Sequence, residues 1–534
     1  MFTRGRWDKT IDIRDFINRN YTPYDGDESF LSGPTARTKK LWEKCLKLFE
    51  KEREQGGVLD VDVSTVSTVT SHDAGYVDKR LEIIKGLQTD APLRRAIKPL
   101  GGIRVVEKAC EDYGYKLDKR IKDIYLKYRK THNDAVFDAY TEDILKARRS
   151  GLITGLPDNY SRGRIIGDYR RIALYGIDRL MESKKNYKKL LEEYSTQEAL
   201  QLREEIAEQI IALEDIKALG KIYGFDISVP AKDAKQAIQW TYFGYLAAVK
   251  EQDGAAISLG SVGNFFDVYI QRDLASGTLT EESAQELIDD FVIKMRLVRH
   301  LRPKSYAEIF AGDPIWITES IAGIGIDGRH KVTKTSYRLM QTLFNLGPSP
   351  EPNLTILWSN RLPESFKKFC AYASIKTSSI QYENDDLMRM IGGDDYSISC
   401  CVSLLKNGSE MQYFGARCNL GKVLLYALNE GRDEITGETI VPDIPPLKSN
   451  PLDFAEVKER FHQTLRWTVN TYVEALNIIH SMHDKYYYER AQMALLDSEL
   501  TRYMAFGIAG LSVVADSLSA IRYAKVMAVR NKKG

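Results

Sequence analysis

The amino-acid sequence predicts a helix-rich α/β protein whose core strands run parallel. Three stretches carry that prediction. Leu354-Thr355-Ile356-Leu357-Trp358 is a continuous run of apolar character after Pro348, Pro350 and Pro352, and a helical pattern over 363–375 follows it. A strand without polar alternation is one covered on both faces. Ser378 to Tyr382 repeats the arrangement, and Tyr396 to Val402 does so ahead of a helix expected over 414–429. Alternation of strand and helix in this way indicates a parallel core.

In chain order, residues 1–35 are loop-rich, with Tyr21-Thr22-Pro23-Tyr24-Asp25-Gly26-Asp27 as turn chemistry. Thr35 to Glu54 reads as a surface helix, 57–80 as irregular, and 81–98, 115–131 and 137–149 as helical. The turn-dense stretch 154–164 runs into a helix opened by Ile165–Arg171. From about 187 to 222 apolar residues recur every three or four positions among Glu and Lys, the pattern of a long solvent-facing helix. Helices over 232–250 and 280–300 bracket the small-residue segment Gly254–Gly263, where another group could approach the backbone closely. Residues 430–452 form the longest loop, and helices over 453–483 and 486–496 follow. Helix 513–524 leads into Lys525–Arg530, which reads as half a strand; a core strand in last place predicts an architecture cut short.

Composition narrows the function classes. The 534 residues are 43% hydrophobic, enough for a large core, and 76 basic residues balance 74 acidic ones. No single-sign field argues for nucleic acid or a membrane surface. The charged N-terminus is not a signal peptide, and no apolar run reaches 18 residues, so no membrane span is expected. Six unpatterned cysteines (45, 110, 370, 400, 401, 418) imply no disulfide framework and suit a reducing cytoplasm.

The candidate chemistry centres on Asp394-Asp395-Tyr396-Ser397-Ile398-Ser399-Cys400-Cys401-Val402-Ser403, with Phe414-Gly415-Ala416-Arg417 a dozen residues later. The functional reading is a pair of reactive sulfurs facing a substrate carboxylate held by arginine. Chance adjacency and a strained vicinal disulfide are the alternatives. Arg162, Arg164 and Arg417 present planar forks suited to the acid group of a small 2-oxo acid, and a structural salt bridge competes with that reading. Gly323-Ile324-Gly325-Ile326-Asp327-Gly328 fits G-x-G-x-x-G, but Arg329-His330-Lys331 does not open an amphipathic helix, so a plain glycine turn is expected. His480 and His483, spaced i, i+3, lack further ligands and read as structural; no metal is expected.

Five segments together resemble one family. Tyr21–Leu31, Arg162–Arg171, Trp240–Ala248, Gly312-Asp313-Pro314-Ile315-Trp316 and Cys400-Cys401 are similar to pyruvate formate-lyases (formate acetyltransferases), which are glycyl radical enzymes. The likeness runs over essentially all of residues 1–534, taken as one pyruvate formate-lyase-like domain. The cysteine pair separates these enzymes from dehydratase and decarboxylase relatives, which use one cysteine with a glutamate. The resemblance implies a ten-stranded β/α barrel with the cysteines on a central loop.

By the same resemblance Cys400 is acylated by pyruvate and Cys401 takes the radical from a glycine. Arg164 and Arg417 hold the pyruvate carboxylate, Ala255, Phe310, Trp316 and Phe414 enclose its methyl group, and Phe137 and Arg148 match positions near the coenzyme A site. The products are acetyl-CoA and formate. Implied partners are a radical-SAM activating enzyme and a second subunit in a homodimer.

Departures matter as much. No Arg-Val-Ser-Gly-Tyr type loop carrying the radical glycine occurs in these residues. Gly260-Ser261-Val262-Gly263 replaces the usual Gly-Arg-Thr-Ser, Phe506 replaces a small residue, and Cys418 is extra. The expectation is therefore radical cleavage with a glycyl radical supplied in trans by a glycine-bearing protein. The alternatives are an inactive or binding-only product of a disrupted gene, and a lyase acting on 2-oxobutyrate.

Overall fold

In the computed structural model, residues 2–158, 166–254, 256–310, 315–486 and 488–530 are described, the side chains of Ile309 and Phe310 excepted. The chain divides into two units: Met1–Tyr128 with Arg162–Gln412 and Glu489–Tyr503, and Arg129–Ser161 with Tyr413–Tyr488 and Met504–Gly534.

The first unit is built around the helix Ala234–Glu251, buried on all sides from Ala237 onward. A helix apolar around its whole circumference belongs in the middle of a core. Against it pack Arg170–Leu190, Gly263–Ala275 and Glu281–Arg296, joined in one buried apolar cluster. Thr280 and Thr333 cap helices reciprocally with the serines three residues on, which settles where Glu281–Arg296 and Lys334–Asn345 begin.

A parallel sheet is present, and two of its three strands are those predicted. Its strands are Thr318–Ala322, Asn353–Trp358 and Ile380–Asn384, in that order, pairing Thr318 with Asn353 and Leu354 with Ile380. Helices Lys334–Asn345 and Glu364–Thr377 are the crossovers. Single parallel bridges, Gly260 with Glu319 and Ile166 with Ser258, continue the sheet on its other side.

Several expectations need correction. Tyr396–Ser399 is not a parallel strand but half of an antiparallel hairpin with Ser403–Lys406, because the chain reverses at Cys400, whose φ is +60°. The helix expected from 414 begins only at Leu420; Glu410–Asn419 is a strand, and Arg417 lies on it rather than on a helix start. Asn419 accepts the Lys422 amide and so caps the helix. Residues 81–98 hold no helix. Pro92 and Gly86 interrupt them, and Arg94–Ile97 pairs in parallel with Asp60–Val66, a strand inside the stretch read as irregular. Helices Ile103–Asp112 and Gly263–Ala275 were not anticipated, and the long helix starts at Gln197 instead of 187. Near the end, the strand is Thr501–Ala509 and not 525–530. The glycine-rich 323–328 stretch closes on itself, the Gly325 amide donating to the Arg329 carbonyl at 2.7 Å, which is the plain turn expected.

The second unit packs the 33-residue helix Phe454–Tyr486 with Leu420–Leu428, His132–Ala139 and Leu511–Tyr523 over its own apolar cluster. Ile153 and Thr154 pair antiparallel with Cys418 and Arg417. His480 lies against the Tyr413 ring and His483 against His132, at 4.5 and 5.2 Å between centroids. No cluster of metal-ligating side chains occurs among the described residues. None of the described helices is long and apolar enough to cross a membrane.

Candidate active site

Cys400 and Cys401 lie in the three-residue loop between Ser399 and Ser403, which face each other across the hairpin. Their sulfurs are 3.7 Å apart. That is van der Waals contact, well beyond the roughly 2.05 Å of a disulfide bond, so the vicinal disulfide is excluded. Cys400 is partly covered and Cys401 exposed.

The loop is held from beneath by polar side chains at the amino ends of the parallel strands. The Cys400 amide donates to Ser258 Oγ at 3.1 Å. Its carbonyl accepts from Thr318 Oγ1 at 2.5 Å and from Asn353 Nδ2 at 3.3 Å. Gln381 Nε2 donates to the Cys401 carbonyl, and Asn353 Nδ2 also reaches Gln381 Oε1 at 3.1 Å. Ser320 Oγ accepts the Ile398 amide at 2.8 Å. A left-handed residue with a side chain is strained, and this many hydrogen bonds over-determine the turn.

Trp316 belongs to the same construction. It sits just ahead of the strand Thr318–Ala322 with φ +50°, and its carbonyl lies 3.5 Å from Ser258 Oγ, the hydroxyl that holds Cys400. The amides of Ile315, Trp316 and Ile317 converge on the Glu351 carboxylate at 2.8, 2.9 and 2.8 Å. Burial pushes the Glu351 carboxyl up to about 7 even against those three donors. Glu319 likewise accepts the Val262 and Gly263 amides, both at 2.8 Å, at the start of helix Gly263–Ala275, and burial raises it to about 8.

Behind the cysteine strand runs a charged network. Arg170 donates to Asp168 at 2.7 Å and to Asp395 at 3.1 Å, and Asn407 Nδ2 reaches Asp395 at 2.9 Å. Burial alone would raise Asp395, but Arg170 and then Lys331 outweigh it and hold the carboxyl down at about 2. Adjacent sulfurs on a turn fixed this firmly can exchange a hydrogen atom between them and divide two covalent roles.

Comparison with known proteins settles the family. A model of pyruvate formate lyase-like proteins matches residues 6–534. Formate acetyltransferase 1 of Escherichia coli (strain K12) is 55% identical over 539 residues, an alignment that takes in 100% of this chain and 71% of the relative. The chain belongs to the pyruvate formate lyase-like family. Its fold is shared by hydroxyproline dehydratase from Clostridioides difficile, with TM-score 0.76 and 19% identity over 92% of this chain and 72% of that one. A glycerol dehydratase from Clostridium butyricum gives 0.76 and 18% over 92% and 71%. A glycyl radical enzyme from Archaeoglobus fulgidus gives 0.71 and 18% over 92% and 70%. The helix-rich α/β fold is thus of the glycyl radical enzyme type.

Of the residues singled out from the sequence, this family member brings Cys400, Cys401 and Trp316 together within the first unit. Arg162, Arg164 and Ala255 lie outside the described residues, as does the side chain of Phe310, which ends the helix Lys304–Phe310. Phe414 and Arg417 share one strand of the second unit, with Phe414 half-buried and Arg417 exposed. Phe137 and Arg148 are neighbours there, the guanidinium 5.4 Å from the ring. Arg148 also forks onto the buried Asp158 at 2.8 and 3.2 Å, and Tyr140 donates to the same carboxylate at 2.9 Å. That ion pair fixes the guanidinium beside the ring.

Sequence reasoning missed Ser258, Thr318, Asn353, Gln381, Glu319 and Glu351. A signal existed for some of them. Thr318-Glu319-Ser320 is a polar triplet entering a strand that is buried throughout, and Glu351 stands between Pro350 and Pro352.

Proposed function

We propose that the protein cleaves pyruvate with coenzyme A to acetyl-CoA and formate, by a thiyl radical mechanism in which the two cysteines have separate tasks. The contact between Cys400 and Cys401 carries the reading, together with the 55% identity to a formate acetyltransferase. A glycyl radical would supply the unpaired electron by taking the hydrogen atom of the Cys401 thiol. Its glycine is assigned to polypeptide outside these 534 residues, and its generation to a radical-SAM activating enzyme; the working unit is a homodimer.

Cys401 passes the radical to Cys400 by accepting its hydrogen atom across the 3.7 Å contact. The Cys400 sulfur adds to the carbonyl carbon of pyruvate, whose carboxylate Arg164 and Arg417 hold. Scission of the C–C bond leaves an acetyl thioester on Cys400 and a one-carbon radical anion, which takes the hydrogen atom from Cys401 and leaves as formate. The coenzyme A thiol, bound near Phe137 and Arg148, displaces Cys400 from the acetyl group. The aromatic wall of Phe310, Trp316 and Phe414, with Ala255, keeps water from the radicals.

The test is anaerobic activation in the presence of a glycine-bearing partner, followed by labelled pyruvate without coenzyme A and peptide mass spectrometry. Acetyl label on Cys400 is expected. Label on Cys401, or none in a sample that carries the radical by electron paramagnetic resonance, would overturn the assignment.

A further inference from the structure

Trp316 and Glu351 also line a cavity of about 660 Å³ within the first unit. Its walls combine three guanidinium groups, Arg95, Arg296 and Arg299, with three aromatic rings, Trp42, Phe49 and Trp316. The size falls in the range of small-molecule sites.

Among the described residues of the wall, guanidinium groups outnumber carboxyls. Glu52 is shared between Arg95, at 3.4 Å, and Arg299, at 3.0 Å to both carboxylate oxygens. Arg296 is 7% exposed and, among the described residues, donates only to carbonyls: Leu346, Gly347 and Glu351, at 3.0, 2.9 and 3.1 Å. Carbonyl dipoles solvate a cation without neutralising it, and burial draws this guanidinium down to about 10 although the Asp289 carboxylate acts the other way without a hydrogen bond to it. The one other carboxyl among the described wall residues, Glu351, accepts three amides and meets Arg299 only through space. Arg299 Nη2 donates to no protein atom among the described residues, and each terminal nitrogen of Arg296 has a second proton to offer. The rings lie against these cations, Arg296 5.4 Å from Trp42 and Arg299 5.2 Å from Phe49.

We propose that this cavity is a binding site, distinct from the cysteine loop, for a planar aromatic molecule carrying one anionic group, carboxylate or phosphate. The ring enters between the aromatic walls and the anion meets Arg296 and Arg299. Because Trp316 is both a wall of this cavity and a neighbour of Ser258, the occupant bears on the segment that supports Cys400.

Isothermal titration and tryptophan fluorescence on the full chain test the site without any need for turnover, so a failure here leaves the reaction assignment untouched. The probes are adenosine 5′-monophosphate and indole-3-acetate, with adenosine and inorganic phosphate as fragments. Saturable binding of either whole probe, at least tenfold tighter than of its fragments, is expected, and the tighter of the two identifies the source of the anion. Arg299→Gln should weaken it at least tenfold. If that variant does not fold, saturation-transfer NMR on the unaltered chain must show the probe's ring protons in contact with protein. No saturation by either probe up to millimolar concentration, or fragments binding as tightly as the whole, overturns the proposal.

Discussion

Glu351→Ala tests the architecture of the site most directly. The carboxylate accepts three consecutive amides, from Ile315, Trp316 and Ile317, at 2.8 to 2.9 Å. Removing it leaves three donors in a buried place, each costing about 1–3 kcal/mol if it stays dry. The adjoining cavity lets water reach some of them, so a loss of about 3–5 kcal/mol is expected, near the low end of the sum. Glu351→Gln should lose roughly 1–3 kcal/mol, since its oxygen can keep two amides while its NH2 faces the third donor. Hydrogen exchange read by mass spectrometry should show faster exchange over 315–320 and, through Ser258, over 396–403. Urea denaturation supplies the global figure. A change below about 1 kcal/mol for Glu351→Ala, with both segments still protected, would refute the claim that this carboxylate anchors the Trp316 segment.

Other predictions follow from the same structure. In the activated protein, Cys400→Ser and Cys401→Ser should each abolish formate release, because a hydroxyl can neither carry the radical nor form the thioester; substantial release by either variant would end the division of roles. Arg417→Lys should chiefly raise the KM for pyruvate, since an ammonium cannot reproduce the fork, and unchanged kinetics would remove Arg417 from the site. Asp395 is held at about 2 against an ordinary 3.8, so its folded form is the weaker proton binder; its contribution, about 2 kcal/mol, is complete above pH 4 and lost as pH falls through 2. Urea midpoints between pH 5 and 2.5 should therefore fall less steeply for Asp395→Asn than for the unaltered chain, and equal slopes would contradict the assignment. Gly431 has φ +75°, and a Cβ there would collide with the Val441 carbonyl oxygen, so Gly431→Ala should destabilise the second unit by at least about 2 kcal/mol, read as early loss of protection over 420–441.

The sequence by itself determined the family, the cysteine pair and the parallel strands around 354–358 and 380–382. These are local signals: an apolar run after three prolines, two adjacent thiols, a helix start at Thr35. It misread whatever depended on a distant partner. Glu410–Asn419 is a strand because it lies between Thr501–Ala509 and Ile153–Thr154, the latter more than 250 residues earlier, and Arg94–Ile97 because it lies beside Asp60–Val66. Chain direction at Cys400 was equally hidden, since a left-handed turn held by Ser258, Thr318, Asn353 and Gln381 leaves no mark in the ten residues around it. Only the tertiary structure decided which polar groups would share a buried place. A hydrogen bond to a buried amide or guanidinium stabilises only when both ends arrive together, and sequence spacing does not encode that meeting.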